Sequence, residues 1–212
     1  MANILHLTAS PRGAASHSRQ ISSEFVQAWL QAHPGDTVTV RDIGRQDIPH
    51  LTEELIGAFY MPAEHRTSAQ RELLKLSDEL VDELQAANLY VFGIPMYNFS
   101  VPAVFKAYID LIVRIGLTVT SNWEGQLKDK KAIIVTARGG GGYGVGESRA
   151  AYNFEDPYLR TVMSLIGVTD QTFIHVTHTS DDLEAPKSLA AARAQINQLV
   201  EAQQEQFHRL AR

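Results

Sequence analysis

"NLYVFGIPMYNFSVPAVFKAYIDLI", residues 88–112, changes its hydrophobic period part-way along. The first seven residues are almost wholly aliphatic or aromatic, as in a strand buried on both faces of a sheet. From 101 to 115 the apolar residues Val104, Phe105, Tyr108, Leu111, Ile112 and Ile115 recur at spacings of three and four, which is one stripe of a helix. Pro102 fits the first turn of that helix, where its missing N–H costs nothing, and Ser100 is a candidate N-cap. A strand, a short loop and a helix in that order are the first half of a βαβ unit. The joining loop "PMYNFSVP" (95–102) carries more chemistry than a turn and a cap require.

Outward from this unit the same alternation repeats. Strand-like runs are "NILHLTA" (3–9), "TVTVRDI" (37–43), "KAIIVTA" (131–137) and "DQTFIHVTH" (170–178). Helical stripes occupy 17–32 (Ile21, Phe25, Ala28, Trp29), 68–86 (Leu73, Leu76, Leu80, Val81, Leu84), 157–166 and 188–210. Thr67 and Gln70 read as a capping box at the start of the second of these. Five strands alternating with five main helices predict an α/β fold with a mostly parallel sheet and right-handed crossovers. A chain of 212 residues suits one such domain, spanning 1–212. Two segments exceed the minimal pattern: 44–66, read as a short helix and a loop, and 116–130, read as a small hairpin around Glu124 and Gly125. Long insertions of this kind are often functional.

Composition removes whole classes of function. The net charge of −5 argues against a nucleic-acid binder. With no cysteine in the chain, disulfides, thiolate metal sites and cysteine nucleophiles are excluded, and a reducing compartment is permitted. The start "MANILHLTAS" has no basic region, and no run approaches the roughly 20 apolar residues of a membrane span, so a cytoplasmic protein is expected. The eight histidines form no H-E-x-x-H pattern, no metal site is expected, and His175 and His178 read as structural. There is no G-x-S-x-G elbow, Walker loop or G-x-G-x-x-G fingerprint. Glu79, Glu83, Asp110 and Asp156 read as solvated helix faces or caps. No acid/base or nucleophile set assembles, as expected where a cofactor supplies the reactive atom.

Open parallel sheets bind ligands beyond the C-terminal ends of their strands, at the switch point in strand order. With the order 2-1-3-4-5, the loops after strands 1, 3 and 4 form one rim. After strand 1, Ser10, Ser16 and Ser18 lead into a helix whose free N–H groups suit a phosphate monoester. One of these serines acting only as a cap is the competing reading. After strand 3, Met96 and Phe99 offer apolar surface to a planar ring, and Asn98 can both donate and accept. Tyr97 serves equally as part of that wall or as core filler. After strand 4, "RGGGGYGVG" (138–146) is either a close-approach edge for a flat ligand, best placed at Arg138, Gly139 and Gly140, or a flexible loop. A phosphorylated planar heterocycle fits this rim, and FMN is the candidate.

These residues carry a resemblance. The blocks "SPRG…SHSR" (10–19), "TVRDI" (39–43), "LSDELVDEL" (76–84), "PMYNFSVPAVFKAYIDLIVRIGLT" (95–118) and "KKAIIVTARGG" (130–140) resemble those of the FMN-dependent NADH-azoreductases, a quinone-reducing family of the flavodoxin-like superfamily. The resemblance implies a three-layer flavodoxin-like fold with helices on both faces of a five-stranded parallel sheet of order 2-1-3-4-5. It puts the FMN phosphate on Ser10, Ser16, His17 and Ser18, and the isoalloxazine against Met96, Tyr97, Asn98 and Phe99. The pyrimidine edge then lies along Ala137, Arg138, Gly139 and Gly140. His17 stands where some members carry glutamine, which implies a main-chain contact. The implied activity is a ping-pong transfer of hydride from NADH, or NADPH, through flavin N5 to a quinone or an aromatic azo compound, in a homodimer. Asn98 would orient the flavin, and no side chain is expected to be catalytic. Phe99, Trp123, Tyr60 and Phe59 are candidates for the substrate wall or for a partner subunit's contribution. The alternatives are an electron carrier like flavodoxin, without NAD(P)H turnover, and an FMN-binding regulatory protein.

Overall fold

The computed structural model describes residues 1–210, with side chains as far as Ala202. The expected domain therefore passes the described residues at Ala211 and Arg212, and the His208 side chain also lies outside them. In chain order the elements are β1 (Asn3–Thr8), α1 (His17–Ala32), β2 (Thr37–Asp42), α2 (Glu53–Tyr60), α3 (Ser68–Ala86), β3 (Leu89–Pro95), α4 (Ala103–Ile112), β4 (Lys131–Ala137), α5 (Glu155–Leu165), β5 (Asp170–Val176) and α6 (Ala185–Leu210). All strand pairs are parallel, and the order is β2-β1-β3-β4-β5.

Alternation along the strands builds two cores. Tyr90, Phe92 and Ile94 of β3 point into the larger core, beneath α2, α3, α4 and α5, while Leu89 and Val91 point into the smaller one with Ile21, Phe25 and Trp29 of α1 and Ile196 of α6. β3 is buried along its whole length, which explains its unbroken apolar run. β2 is an edge strand with Val40 in solvent, and Arg41 on it is gripped by Glu79 and Glu83 of α3. Those two carboxylates thus tie a helix to the sheet edge instead of facing only solvent.

Register fixes the rim. Pro95 pairs with Ala137 and Thr8 with Gly93, so the loops after β1, β3 and β4 leave the sheet at one level. The capping box at Thr67 and Gln70 is present. Several local expectations are corrected. Ser100 does not cap α4, because its N–H is bonded to the Tyr97 carbonyl, and Pro102 occupies the cap position. Leu73 is exposed and its neighbour Leu74 is buried, so the stripe on α3 begins one residue later, while Leu80, Val81 and Leu84 are buried as expected. In 116–130 a tight turn does form, but its tip is Thr120–Trp123, with Val119 and Gly125 paired behind it. Among the described residues no helix is long and apolar enough to cross a membrane.

Candidate functional site

The loop after β1 becomes a cup because of how α1 begins. Ser16 is the N-cap, and its Oγ accepts from the Arg19 N–H at 3.3 Å. The cap leaves the N–H groups of His17 and Ser18, the first two of the helix, without intrahelical partners at the positive end of the helix dipole. Ser18 is fully buried and its hydroxyl lies 3.2 Å from that of Ser16, so its side chain braces the cup from inside. Arg19 turns back across the cup: its guanidinium donates to both Asp42 oxygens at 2.7 and 2.8 Å and to the Ser10 carbonyl at 2.9 Å. Burial works against ionisation of Asp42, but the Arg19 bonds outweigh it and hold the carboxyl below its usual range. The end of β2 thereby fixes the loop after β1.

The loop after β3 is a two-residue hairpin turn. Tyr97 and Ser100 exchange main-chain bonds of 2.9 and 3.1 Å, and the residues between them, Asn98 and Phe99, have φ of 49° and 72°. Two successive left-handed residues suit asparagine in the first place but favour glycine in the second, so Phe99 is held there at a cost of about 1–3 kcal/mol. Its ring packs on Tyr152 with centroids 5.6 Å apart, and its carbonyl accepts from the Phe154 N–H. Tyr97 is not core filler. It is half-buried, and its hydroxyl reaches to 3.5 Å from Ser10 Oγ, closing the cup from the opposite side.

The loop after β4 is anchored as far as Gly140. The carbonyls of Arg138, Gly139 and Gly140 accept from the N–H groups of Thr179, Ser180 and His178, respectively. Arg138 sends its side chain inward, where it is 3% exposed and bonds Glu155 at 3.1 Å and Asp156. Asp156 is therefore part of a buried network, not a solvated cap, and His175 joins it at 3.7 Å while its Nδ1 lies 2.8 Å from Thr136 Oγ1. One guanidinium serves two carboxylates. Glu155, fully buried and with Oε1 lacking a hydrogen-bond partner, is pushed by desolvation up to about 8 despite Arg138. Asp156 also pays for burial, but Arg138 and Asn153 hold it below its usual range.

Ser10, Ser16, His17, Met96, Tyr97, Ala137 and Gly139 line one cleft of about 230 Å³ at the C-terminal edge of the sheet. Asn98 and Phe99 stand at the tip of the adjoining turn, Gly140 faces a neighbouring hollow, and Ser18 and Arg138 support from inside. Arg12, Pro95, Thr179 and Ser180 also line the cleft and were missed from the sequence. The only signal for the last two was a polar run, "THTS" (177–180), directly after β5 at the same rim. Phe59, Tyr60 and Trp123 are elsewhere, in a mainly apolar groove of about 350 Å³ with Leu51, Ile109 and Val113, where Arg114 stacks 4.4 Å from the Phe59 ring centre. Among the described residues no group of His, Asp and Glu converges as a metal site.

The donors fit a phosphate monoester, with open helix N–H groups and hydroxyls at one end of the cleft, and a planar ring at the other, between Met96, Tyr97 and the main chain of Ala137–Gly139. Comparisons with known proteins agree with this geometry. Residues 2–200 match the family described as having a flavodoxin-like fold. The chain is 47% identical over 203 residues to the FMN-dependent NADH:quinone oxidoreductase of Nostoc punctiforme, covering 94% of this chain and 98% of that one. It is 44% identical over 182 residues to FMN-dependent NAD(P)H:quinone oxidoreductase 1 of Pseudomonas aeruginosa, covering 82% and 86%. Among solved structures, an FMN-dependent NADH-azoreductase from Bacillus anthracis in complex with FMN superimposes with a TM-score of 0.85 at 18% identity, covering 95% and 99%; that likeness is one of fold.

Proposed function

The chain belongs to the flavodoxin-like fold family and, within it, to the FMN-dependent NADH:quinone oxidoreductases; from that premise we propose that it uses NADH, or NADPH, to reduce quinones to hydroquinones and aromatic azo compounds to amines. The observation that carries the reading is the single cleft in which an open helix N-terminus meets the Met96–Tyr97 wall and the Ala137–Gly139 main chain. Bound FMN supplies the hydride-accepting and hydride-donating centre that the side chains of the cleft lack.

The chain's own residues bind and orient. The N–H groups of His17 and Ser18 and the hydroxyls of Ser10 and Ser16 hold the phosphate. Met96 and Tyr97 would cover the ring, the Asn98 amide at the adjoining turn would meet a polar edge of it, and the main chain of Ala137, Gly139 and Gly140 would run along another. Arg138 fixes that main chain from below. Phe99, paired with Tyr152, walls the side on which substrates enter. Donor and acceptor use that side in turn, in ping-pong order.

The same reading makes the protein a cytoplasmic homodimer that binds no nucleic acid. The cysteine-free, acidic composition supports the location and the absence of nucleic acid. The aromatic groove of Phe59, Tyr60 and Trp123 supports the dimer: these residues do not line their own chain's cleft, so they serve a substrate wall from a neighbouring copy.

The test is steady-state oxidation of NADH and NADPH by the FMN-loaded protein with a quinone and with an azo dye. Consumption that starts only on adding acceptor, with parallel double-reciprocal lines, is expected. FMN uptake without nucleotide oxidation would instead make the protein an electron carrier, and failure to take up FMN would sink both.

A further inference from the structure

The glycine run has a second side. Beyond Gly139 and Ser180, which it shares with the cofactor cleft, a hollow of about 480 Å³ lies between residues 139–142 and Ser148, Arg149, His178 and Asp181. The glycines are explained by what presses on them. A Cβ on Gly140 would stand 2.7 Å from Arg149 Nη1, and one on Gly141 would run into the His178 imidazole. The run is therefore not simply a loose flap: the absence of side chains lets two nitrogen-rich groups lie directly on the main chain. The main chain that carries each is held in place. The Arg149 N–H donates to the Gly142 carbonyl at 2.7 Å, closing the loop over 142–149, and the His178 N–H donates to the Gly140 carbonyl at 3.1 Å.

The charges around the hollow are unbalanced. Glu147 is turned to the Gly144 N–H at 2.7 Å. Asp181 Oδ1 accepts from the N–H groups of Leu183 and Glu184, at 2.9 and 3.1 Å, and these bonds hold its carboxyl below the usual range. One oxygen of each carboxylate is thus held by main-chain donors; Asp181 stays ionised and faces His178, which leaves Arg149 as the cation of the hollow without a carboxylate of its own. Among the described residues no carboxylate pairs with the Arg149 guanidinium. A forked guanidinium, an imidazole and the hydroxyls of Ser148 and Ser180 around bare glycine main chain form a donor set for an oxyanion with several acceptor oxygens.

Resting on the oxidoreductase reading above, we propose that this hollow binds the pyrophosphate of the nicotinamide donor, with Arg149 as its principal ligand and His178 as the second, while the nicotinamide enters the adjoining cofactor cleft. Gly139 and Ser180 line both spaces, so the two adjoin, as a dinucleotide reaching from one to the other requires. A sulfonate or carboxylate on an acceptor has related oxyanion chemistry, and the test separates the two sources.

The test uses the full-length, FMN-loaded protein and the variants Arg149→Ala, Arg149→Lys and His178→Asn, asparagine being suited to the φ of 57° at that position. Rates are compared with NADH and with 1-benzyl-1,4-dihydronicotinamide, a donor without phosphate, using neutral menadione and anionic anthraquinone-2-sulfonate as acceptors. Calorimetric titration with ADP-ribose, which carries the pyrophosphate but no nicotinamide, gives a reading independent of turnover. For Arg149→Ala the ratio of kcat/KM for NADH to that for the benzyl donor falls about tenfold, and ADP-ribose binds about tenfold more weakly, as for loss of one charge-assisted hydrogen bond. Lysine restores part of both effects, and His178→Asn gives a smaller loss. An unchanged donor ratio with unchanged ADP-ribose binding overturns the proposal, as does an effect confined to the sulfonated acceptor. If the parent protein oxidises neither donor, the oxidoreductase reading fails, and ADP-ribose binding alone still decides whether the hollow is an anion site.

Discussion

Single residues in this site carry two duties, and Ser16 shows it best. Its hydroxyl caps α1 through the Arg19 N–H and also lines the cofactor cleft. Ser16→Ala should lower the stability of the apoprotein by about 1 kcal/mol, the usual worth of a serine cap, measured by urea unfolding. It should also weaken FMN by about tenfold more than riboflavin, because only FMN carries the phosphate that the hydroxyl meets. Equal losses for the two flavins would remove Ser16 from the phosphate cup. Of the competing sequence readings, the cap is present in the structure, and the cap does not preclude a ligand role, since Ser16 also lines the cleft. Tyr97 was ambiguous for a different reason: an aromatic after a strand looks the same whether it turns into the core or across the rim. Only the left-handed pair Asn98–Phe99 turns it across.

At the scale of elements, the site depends on how closely α1 approaches the sheet. Gly93 near the end of β3 leaves room for the first turn of α1, and a Cβ there would stand 2.9 Å from the Ser18 carbonyl oxygen and 2.7 Å from Ser22 Oγ. Ser22 Oγ in turn lies 2.9 Å from the buried His6 on β1. Gly93→Ala should therefore cost about 1–3 kcal/mol, as overpacking of a rigid interface does. It should also displace the helix N-terminus enough to reduce FMN affinity more than riboflavin affinity, read by fluorescence titration beside urea unfolding. A variant with normal stability and normal FMN binding would show that the helix gives way freely. The helices themselves were legible from periodicity, to within a few residues at their ends. The burial of Leu74 in place of Leu73 in the first turns of α3 was not, because adjacent leucines satisfy the same stripe until the packing selects one.

For the whole molecule, stability against pH reports two buried groups with opposite signs. Glu155, raised by burial to about 8, binds a proton in the folded state that the unfolded chain releases near the ordinary glutamate value of 4.5. Its contribution is full at low pH and is lost as pH rises between about 4.5 and 8. His6, lowered to about 4 by burial and then by Arg19, is neutral when folded but protonated when unfolded below the ordinary histidine value of 6.5, so stability rises with pH between about 4 and 6.5. The two oppose each other over their overlap, and above 6.5 the Glu155 decline stands uncompensated. Melting temperatures from pH 6.5 to 8.5 should thus fall for the parent protein and fall less for Glu155→Gln. Parallel curves would mean that Glu155 is ionised against Arg138 throughout.

The sequence by itself determined the alternation of strands and helices, the parallel sheet and the three loops that share a rim. These follow from local period, turn residues and composition, which each segment carries without its neighbours. Tertiary structure alone decided which way Arg138 points, that Asp156 and Glu155 share it, that Thr179 and Ser180 complete the cleft, and that Phe59, Tyr60 and Trp123 do not line it. It also gave the glycine run its reason, because the groups that crowd it, Arg149 and His178, come from other turns of the chain. Such contacts depend on which distant segments meet, and the hydrophobic pattern of one segment holds no record of the side chain that will press against it.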